Sequence, residues 1–338
     1  MDATETTNAK AVTTPTNAQT VTKRPSVPRR LLRLLAAAAI IVFAAALLGY
    51  VVRDRTWWLA LLMYLPMVLI APITFAILLV ALERRRAAWQ LIVMFVAAVA
   101  GLLALRGMWQ AGSVGGHGGA TRIVQWNVQW GRDDAGWQET ARRIVEAKPD
   151  IIVLSEAPKD DKLESLRVQL AGGGGAWTCN VVRNERGSRY WYAIAVMSRW
   201  PMSDEAKIPL PNGAGYAVTV EAPGDALRLL AVDGVSSPIV SRTPLLEAVA
   251  DEAADADVIA GDFNAVSRSI GFDAIRMDGF ALGSAKTRGW RGTFPAALPL
   301  YDIDHVWVGP RHVPAGCDML ASPGTNHRGQ LVYVQREN

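Results

Sequence analysis

Three long apolar runs dominate the first third of the chain, and charged residues bound each of them. The runs are Leu34–Val52, Trp57–Leu82 and Ala87–Leu105. A helix rises about 1.5 Å per residue, so a run of about 20 residues crosses a hydrocarbon core of about 30 Å. Pro66 and Pro72 predict a kink in the second run. The pattern predicts a three-helix transmembrane anchor over residues 31–106.

Two other interpretations of these runs fit less well. A cleaved signal peptide would explain the first run alone, and that run is long for the apolar part of a signal. Buried helices of a soluble domain would not require charged residues at the boundaries of all three runs.

The basic residues predict the orientation of the anchor. The first 33 residues and residues 83–86 hold nine Lys and Arg, whereas residues 53–55 and Arg106 hold three. Positive charge is concentrated in cytoplasmic loops. We therefore expect a cytoplasmic N-terminus and, after three crossings, everything beyond Arg106 outside the cytoplasmic (inner) membrane.

Two segments lack any hydrophobic period. Residues 1–30 are rich in Thr, Ala, Pro and Asn, which predicts a disordered cytoplasmic tail. Residues 107–120 are rich in glycine, which predicts a flexible linker that keeps the following domain close to the membrane.

From Thr121 onwards, short apolar runs alternate with helical patterns. Predicted strands cover residues 122–126, 151–154, 177–182, 190–197, 216–220, 227–232, 258–260, 303–308 and 330–334. Predicted helices cover residues 135–147, 162–170 and 243–256. Short strands, hairpins and flanking helices in this mixture predict an α/β sandwich over residues 121–338.

Charge is divided unevenly between the two parts. Residues 1–112 hold 12 basic and four acidic residues, and the remainder holds 23 basic and 27 acidic residues. A nonspecific nucleic-acid binder needs a basic surface, which the second part lacks overall, although Arg183, Arg186 and Arg189 leave a local basic face open. Cys179 and Cys317 are either one disulfide or, as we expect, two free thiols.

Several predicted strands end in polar residues of similar chemistry. The run Val258–Ala260 is followed by Gly261 and then Asp262 and Asn264; the other polar residues are Asn127, Glu156, Asp304 and His327. Each has an ordinary structural explanation, such as a turn or a helix cap. Their recurrence favours a shared site at the edge of a sheet, where α/β proteins bind ligands.

The motifs around these residues resemble a known superfamily. In chain order they are Gln-Trp-Asn-Val, Pro-Asp-Ile-Ile-Val-Leu-Ser-Glu, Val-Met-Ser-Arg-Trp-Pro, Gly-Asp-Phe-Asn-Ala, Ile-Asp-His-Val and Asn-His-Arg-Gly. This series is similar to the endonuclease/exonuclease/phosphatase (DNase I-like) superfamily over essentially all of residues 121–338. The resemblance implies two packed mixed sheets flanked by helices. The three-span anchor resembles a membrane-bound branch that includes teicoplanin-resistance-type proteins.

The resemblance also implies roles for individual residues. Glu156, with help from Asn127, would hold Mg²⁺ or Mn²⁺, for which hard oxygen ligands are suited. Asp262 would orient or deprotonate the attacking water, and Asn264 would donate a hydrogen bond to the phosphoryl group.

The same resemblance assigns His327 to a phosphate oxygen, which it would bind or protonate, with Asp304 holding its imidazole in the required tautomer.

Two departures from the family pattern accompany these residues. Asn326 precedes His327 where the family usually has an aspartate. Many members carry a second histidine after the strand equivalent to residues 227–232, where this chain offers Asp233 or Val235. We treat Asn326 and Asp233 as accessory candidates.

These observations favour a membrane-anchored, metal-dependent phosphoester hydrolase that acts outside the cytoplasmic membrane on a phosphorylated small molecule or lipid. An exported nuclease is the alternative within the same class. A phosphate-binding module of reduced activity is the alternative from a different class, and the missing histidine is the argument for it.

Overall fold

The computed structural model describes residues 29–82, 87–112, 118–172, 175–184 and 191–337. Most of the predicted tail, the basic residues at 84–86, and Arg186 and Arg189 therefore lie outside the described residues. Arg29 and Arg30, which the sequence assigned to the tail, begin the first helix.

The apolar N-terminal third forms helices. These are α1 Arg29–Val52, α2 Trp57–Met63, α3 Met67–Val80 and α4 Ala87–Met108. Among the described residues, α1 and α4 are long and apolar enough to cross a membrane, and α2 with α3 provides a third span if the bent pair is one span. The second predicted run is thus two helices that meet at an angle of 61°. The break falls at Tyr64–Pro66, because Pro66 precedes the first turn of α3.

Small side chains let these helices approach closely. Ala46, Ala71, Ala97 and Ala100 are buried where α1, α3 and α4 meet, as is typical of membrane helix interfaces. Large apolar side chains such as Phe95 and Val80 point outward and remain 70% and 72% exposed. An apolar exterior around a small-residue interior is the arrangement expected for a lipid-facing bundle.

Two six-stranded sheets form the rest of the protein. The first has the order β10-β12-β9-β8-β7-β6. Its strands are β6 Met202–Leu210, β7 Gly213–Val220, β8 Leu227–Gly234, β9 Val258–Asp262, β10 Ala281–Leu282 and β12 Asp304–Val308. The β8–β9 pair is parallel and the other pairs are antiparallel.

The second sheet has the order β13-β14-β2-β3-β5-β4. Its strands are β2 Thr121–Asn127, β3 Ile151–Ser155, β4 Thr178–Arg183, β5 Ala193–Ser198, β13 His312–Leu320 and β14 Gly329–Arg336. Here β2 and β3 form the parallel pair. Each sheet therefore has one parallel pair near its centre, whose carboxyl ends reach the same edge.

Helices cover the outer faces of both sheets. Side chains from the inner faces, among them Ile123, Val196 and Val306, interdigitate to form the central core. The helices α5 Asp134–Glu146 and α6 Asp160–Ala171 pack on the second sheet. The helices α7 Thr243–Glu252 and α8 Phe272–Met277 pack on the first. The predicted α/β sandwich of two mixed sheets flanked by helices is confirmed.

The sequence predicted a flexible linker over residues 107–120. Residues 107–112, which the structure describes, do not form one. The helix α4 continues to Met108, and β1 Trp109–Ala111 pairs with β11 Arg288–Trp290. The backbone N–H of Gly112 then donates to the carbonyl of Thr287 at 2.8 Å. Composition suggested a tether, but backbone pairing fastens this segment to the domain.

Two strands and the cysteine pairing illustrate what the sequence left open. The strands β6 and β13 were not predicted because both lie at sheet edges, where charged residues and proline interrupt the apolar alternation. Cys179 and Cys317 are free thiols. They lie on β4 and β13, opposite edges of one sheet and about 24 Å apart at the usual strand spacing.

Candidate active site

Three carboxylates stand in a row across the first sheet. In the ladder registers, Asp233 at the end of β8 pairs with Asp262 at the end of β9, and Asp262 pairs with Asp304 at the start of β12. Neighbouring strands lie about 4.8 Å apart, so these side chains crowd one edge of the sheet. All three are at least 95% buried. Buried acids at this density need protons, hydrogen-bond donors or a cation.

Gly261 allows this row to form. Its φ is 157°, and a Cβ atom at this position would lie 1.8 Å from the carbonyl oxygen of Val232. A glycine is therefore required where β9 approaches β8 and delivers Asp262 to the sheet edge.

The second sheet supplies Asn127 and Glu156 at the carboxyl ends of its parallel pair. The Nδ2 group of Asn127 donates to Asp262 Oδ2 at 2.8 Å and to Glu156 Oε1 at 3.2 Å. The Oδ1 atom of Asn127 accepts from the backbone N–H of Gln129 at 3.0 Å. The Asn127 carboxamide thus donates hydrogen bonds to one carboxylate from each sheet. Its role as a metal ligand remains a prediction.

His327 comes from the loop before β14 and reaches the acidic row. Its Nδ1 atom lies 2.9 Å from Asp304 Oδ2 and 4.0 Å from Asp262 Oδ2. The loop is fixed by Trp126, whose Nε1–H donates to the His327 carbonyl at 3.0 Å. The Phe294 ring packs against the imidazole with centroids 4.9 Å apart. The two residues that the sequence assigned as a pair, Asp304 and His327, are therefore in contact.

Asn264 lies on the other side of Asp262. Its φ of 48° is in the left-handed region, and its backbone N–H donates to Asp262 Oδ1 at 2.8 Å. Its Nδ2 group donates to the carbonyl of Gly234 at 2.9 Å. A strained residue at such a position suggests a functional constraint on the turn.

The accessory candidates border the same site. The backbone N–H of Asn326 donates to the Gln129 side chain at 2.9 Å, and the Asn326 Oδ1 atom is buried without a hydrogen-bond partner among the described residues. Asp233 Oδ2 lies 3.5 Å from the backbone nitrogen of Glu156. All eight residues that the sequence nominated therefore belong to one connected set of contacts.

Burial and neighbouring charges change the pKa values of three groups at this site, Asp262, Asp233 and His327. Burial, followed by the charge of Asp304, raises the pKa of Asp262 to about 7. Burial, with the charges of Asp262 and Glu156, raises the pKa of Asp233 well above its usual value. Burial would lower the pKa of His327, but the charge and hydrogen bond of Asp304 and the charge of Asp262 outweigh it and raise that pKa to about 9. Strongly shifted pKa values of this kind are common at catalytic sites.

The donor set fits a divalent cation. Among the described residues, Asp262, Asp304 and His327 offer ligand atoms that all lie within 4.8 Å of one another. Glu156, the ligand expected from the sequence, joins this group through Asn127. Carboxylate oxygens beside one imidazole suit Mg²⁺ or Mn²⁺, and the acidic row has an excess of negative charge for a cation to offset. The three residues whose ligand atoms lie closest together thus include Asp262 and His327, to which the sequence analysis gave roles in proton transfer.

An open cleft lies beside Glu156 and Asp233. Trp130, Trp191 and Tyr192 line its walls together with Val235 and Ser236. The indole of Trp130 is 40% exposed and that of Trp191 is 70% exposed. Trp130 has a φ of 59°, and its backbone N–H donates to the carbonyl of Glu156 at 2.6 Å. The loop that carries this indole is therefore fixed against the candidate metal ligand.

Sequence reasoning missed several residues that support the site. The hydroxyl of Ser155 accepts a hydrogen bond from the backbone N–H of Asp262 at 3.1 Å. The hydroxyl of Tyr64, in the anchor, donates to the backbone carbonyl of Asn264 at 2.7 Å. The Ser-Glu dipeptide could have suggested Ser155. Nothing in an apolar run distinguishes Tyr64 from an interfacial aromatic residue.

Comparison with known proteins identifies the family of the chain. The model of the Endonuclease/Exonuclease/phosphatase family matches residues 124–327, more than half of the chain, so the chain belongs to this family. Members of the family are phosphoesterases, including nucleases and phosphatases. A comparison with curated proteins gave no match.

Solved structures share the fold. A functionally unknown conserved protein from Enterococcus faecalis V583 is 14% identical with a TM-score of 0.51, over 64% of this chain and 100% of that one. An endonuclease/exonuclease/phosphatase family protein from Bacteroides thetaiotaomicron is 13% identical with a TM-score of 0.51, over 65% and 98%. The endonuclease/exonuclease/phosphatase from Beutenbergia cavernae DSM 12333 is 20% identical with a TM-score of 0.48, over 64% and 72%. At these identities, the likeness to the two structures with a TM-score of 0.51 shows the fold alone.

Proposed function

We propose that the chain is a membrane-anchored, divalent-metal-dependent phosphoester hydrolase that acts outside the cytoplasmic membrane on a lipid-linked phosphate. The observation that carries this proposal is the hydrogen bond from the Tyr64 hydroxyl to the Asn264 carbonyl. Asn264 borders the acidic row, and Tyr64 lies at the break between two helices of the anchor. A site whose edge contacts the anchor is close to substrates that are themselves held in a membrane.

The path of the anchor supports a single arrangement of the spans. The end of α1 meets the domain through Arg53 and Asp273, whose side chains lie 2.7 Å apart. The end of α4 meets it through β1 and β11. Both helices therefore finish on the same side as the domain, as three crossings require. The distribution of basic residues favours the cytoplasm for the opposite side.

Glu156, with Asp262 and Asp304, would hold the cation, which would offset charge on the phosphoryl oxygens. Asp262 orients the attacking water and takes its proton. Asp304 keeps the imidazole of His327 oriented and charged, so that its other nitrogen donates to a phosphate oxygen. Asn264 donates a hydrogen bond from its carboxamide as charge develops there. Positioning and electrostatics of this kind account for most of the rate in phosphoryl transfer.

A nuclease is the second candidate, and the aromatic cleft is the observation that favours it. Trp130 and Trp191 border a further depression with Arg183 and Asn184. Exposed indoles beside a basic residue can stack on nucleic-acid bases. The net negative charge of residues 113–338 opposes this candidate.

The test uses the full chain in lipid nanodiscs with Mg²⁺ or Mn²⁺. We expect phosphate release from a lipid-linked pyrophosphate and no cleavage of plasmid DNA. DNA cleavage without lipid turnover would establish the nuclease instead. Calorimetric binding of a slowly reacting phosphoester, without turnover of either substrate, would establish a binding module and overturn the proposal.

A further inference from the structure

The break between α2 and α3 inserts one side chain of the anchor into the catalytic domain. Tyr64 ends the first of these helices, and its hydroxyl donates to the Asn264 carbonyl at 2.7 Å. Tyr301 of the domain donates in turn to the Tyr64 carbonyl at 2.8 Å, and the two rings pack edge to face with centroids 5.8 Å apart. The contact is therefore reciprocal, with a side chain from each partner bonded to the backbone of the other.

Asn264 has a backbone conformation that such a contact supports. Its left-handed backbone costs energy, and its carbonyl accepts a second hydrogen bond from Arg242 Nε at 3.1 Å. Arg242 is itself buried and holds the carbonyls of Ser237 and Val240. Tyr64 and Arg242 thus clamp one carbonyl from two directions, one from the anchor and one from the domain.

The loop between α1 and α2 holds the segment that follows Asn264. Arg53 donates to the carbonyls of Arg268 and Ser269 and pairs with Asp273. Asp54 accepts from the backbone N–H of Ile270 at 2.7 Å and from the Ser269 hydroxyl. A buried carboxylate and a guanidinium that make several bonds each form a specific junction rather than a loose tether.

We infer that the anchor is a structural part of the catalytic loop and that Tyr64 is a positioning residue for Asp262, acting through Asn264. The connection is short, because the Asn264 N–H that bonds Asp262 Oδ1 belongs to the residue whose carbonyl Tyr64 holds. Loss of the Tyr64 hydroxyl leaves the Asn264 carbonyl bonded to Arg242 alone and lets the Asp262 carboxylate shift. This inference rests on the proposed function for its kinetic readout.

The experiment compares Tyr64→Phe with Tyr50→Phe in the full chain. Tyr50 is a matched control: its ring stacks on Arg268 of the domain, but its hydroxyl makes no hydrogen bond with the residues that the structure describes. For Tyr64→Phe we expect kcat to fall about 10-fold with KM unchanged. The reason is that one hydrogen bond that positions Asn264, and through it Asp262, is lost. Tyr50→Phe should retain the wild-type kcat. Tyr301→Phe, which releases the Tyr64 backbone, should lower kcat in the same direction.

A second readout does not depend on turnover. Hydrogen exchange of the amides at residues 262–266 should accelerate about 5-fold or more in Tyr64→Phe and remain unchanged in Tyr50→Phe. Equal exchange and equal kcat in both variants would overturn the inference. An inactive wild-type chain with the expected exchange difference would overturn the proposed function and leave the junction intact.

Discussion

Asp262 and Asp304 are cross-strand partners on β9 and β12, and His327 approaches both of their carboxylates from the opposite sheet. Burial and the charge of Asp304 raise the proton affinity of Asp262, and a cation bound beside them would lower it. The sandwich therefore brings together, at the edge where its two sheets meet, groups whose charges depend on one another. This dependence allows the site to be tested without knowledge of the substrate.

The pairing of His327 with Asp304 predicts a charged imidazole in metal-free protein at neutral pH. Because the folded pKa is raised to about 9, above the ordinary 6.5, the pairing contributes stability that is fully present below pH 6.5. That contribution is lost as the pH rises through about 9. Asp304→Asn should lower the pKa of His327 by on the order of one unit or more, measured by NMR titration. Asp225→Asn, beside His312, should leave it unchanged.

The raised pKa of Asp262 predicts that metal binding strengthens with pH. The carboxyl group is protonated at pH 5 and must lose that proton, with a pKa of about 7, to face a cation. Mn²⁺ should therefore raise the unfolding temperature more at pH 8 than at pH 5. A ligand at 100 times its dissociation constant stabilises by about 2.7 kcal/mol. Equal shifts at the two pH values, measured after chelation and Mn²⁺ addition, would contradict a site at Asp262.

The close approach at Gly261 predicts a large effect of one methyl group. In Gly261→Ala the new Cβ would meet the Val232 carbonyl at 1.8 Å, so β8 and β9 must separate. We expect a loss of about 3 kcal/mol or more in the free energy of unfolding, measured by denaturant titration. Gly118→Ala is the control, because a Cβ there meets nothing within 4 Å. Similar stability of the two variants would show that this approach is not a constraint.

The proposed orientation predicts which residues are accessible in intact cells. Val168 is 57% exposed on α6, so a Val168→Cys chain in a Cys179→Ser background presents an accessible thiol on the domain. A membrane-impermeant maleimide should label it without permeabilisation. A Thr14→Cys chain, substituted in the predicted cytoplasmic tail, should be labelled only after permeabilisation. The reverse labelling pattern would contradict the proposed orientation and place the domain in the cytoplasm.

The sequence predicted the fold because its central strands depend on local patterns, and the same patterns indicated the candidate site residues. Apolar runs identified the central strands, and a polar residue after each run identified Glu156 and Asp262. The registers that align Asp233, Asp262 and Asp304 depend on pairing between distant strands, which no local pattern reveals.

The contacts between the N-terminal helices and the domain were the least predictable feature from the sequence. Glycine content predicted a linker, whereas Trp109–Ala111 pairs with β11. Tyr64 lies in an apolar run, and its partner Asn264 is 200 residues away in the chain. Contacts between an apolar N-terminal helix and a loop so distant in sequence depend on the assembled fold.

The most direct test of the central claim is phosphate release from a lipid-linked pyrophosphate by the full chain, compared with Glu156→Gln at saturating Mg²⁺. The substitution removes one carboxylate from the proposed cation site and keeps its shape. We predict Mg²⁺-dependent release by the wild-type chain, abolished by chelation and restored by added metal. In Glu156→Gln the rate should fall at least about 100-fold, since metal and proton-transfer groups contribute on this scale. Absence of turnover, or a rate that Glu156→Gln leaves unchanged, would contradict the account.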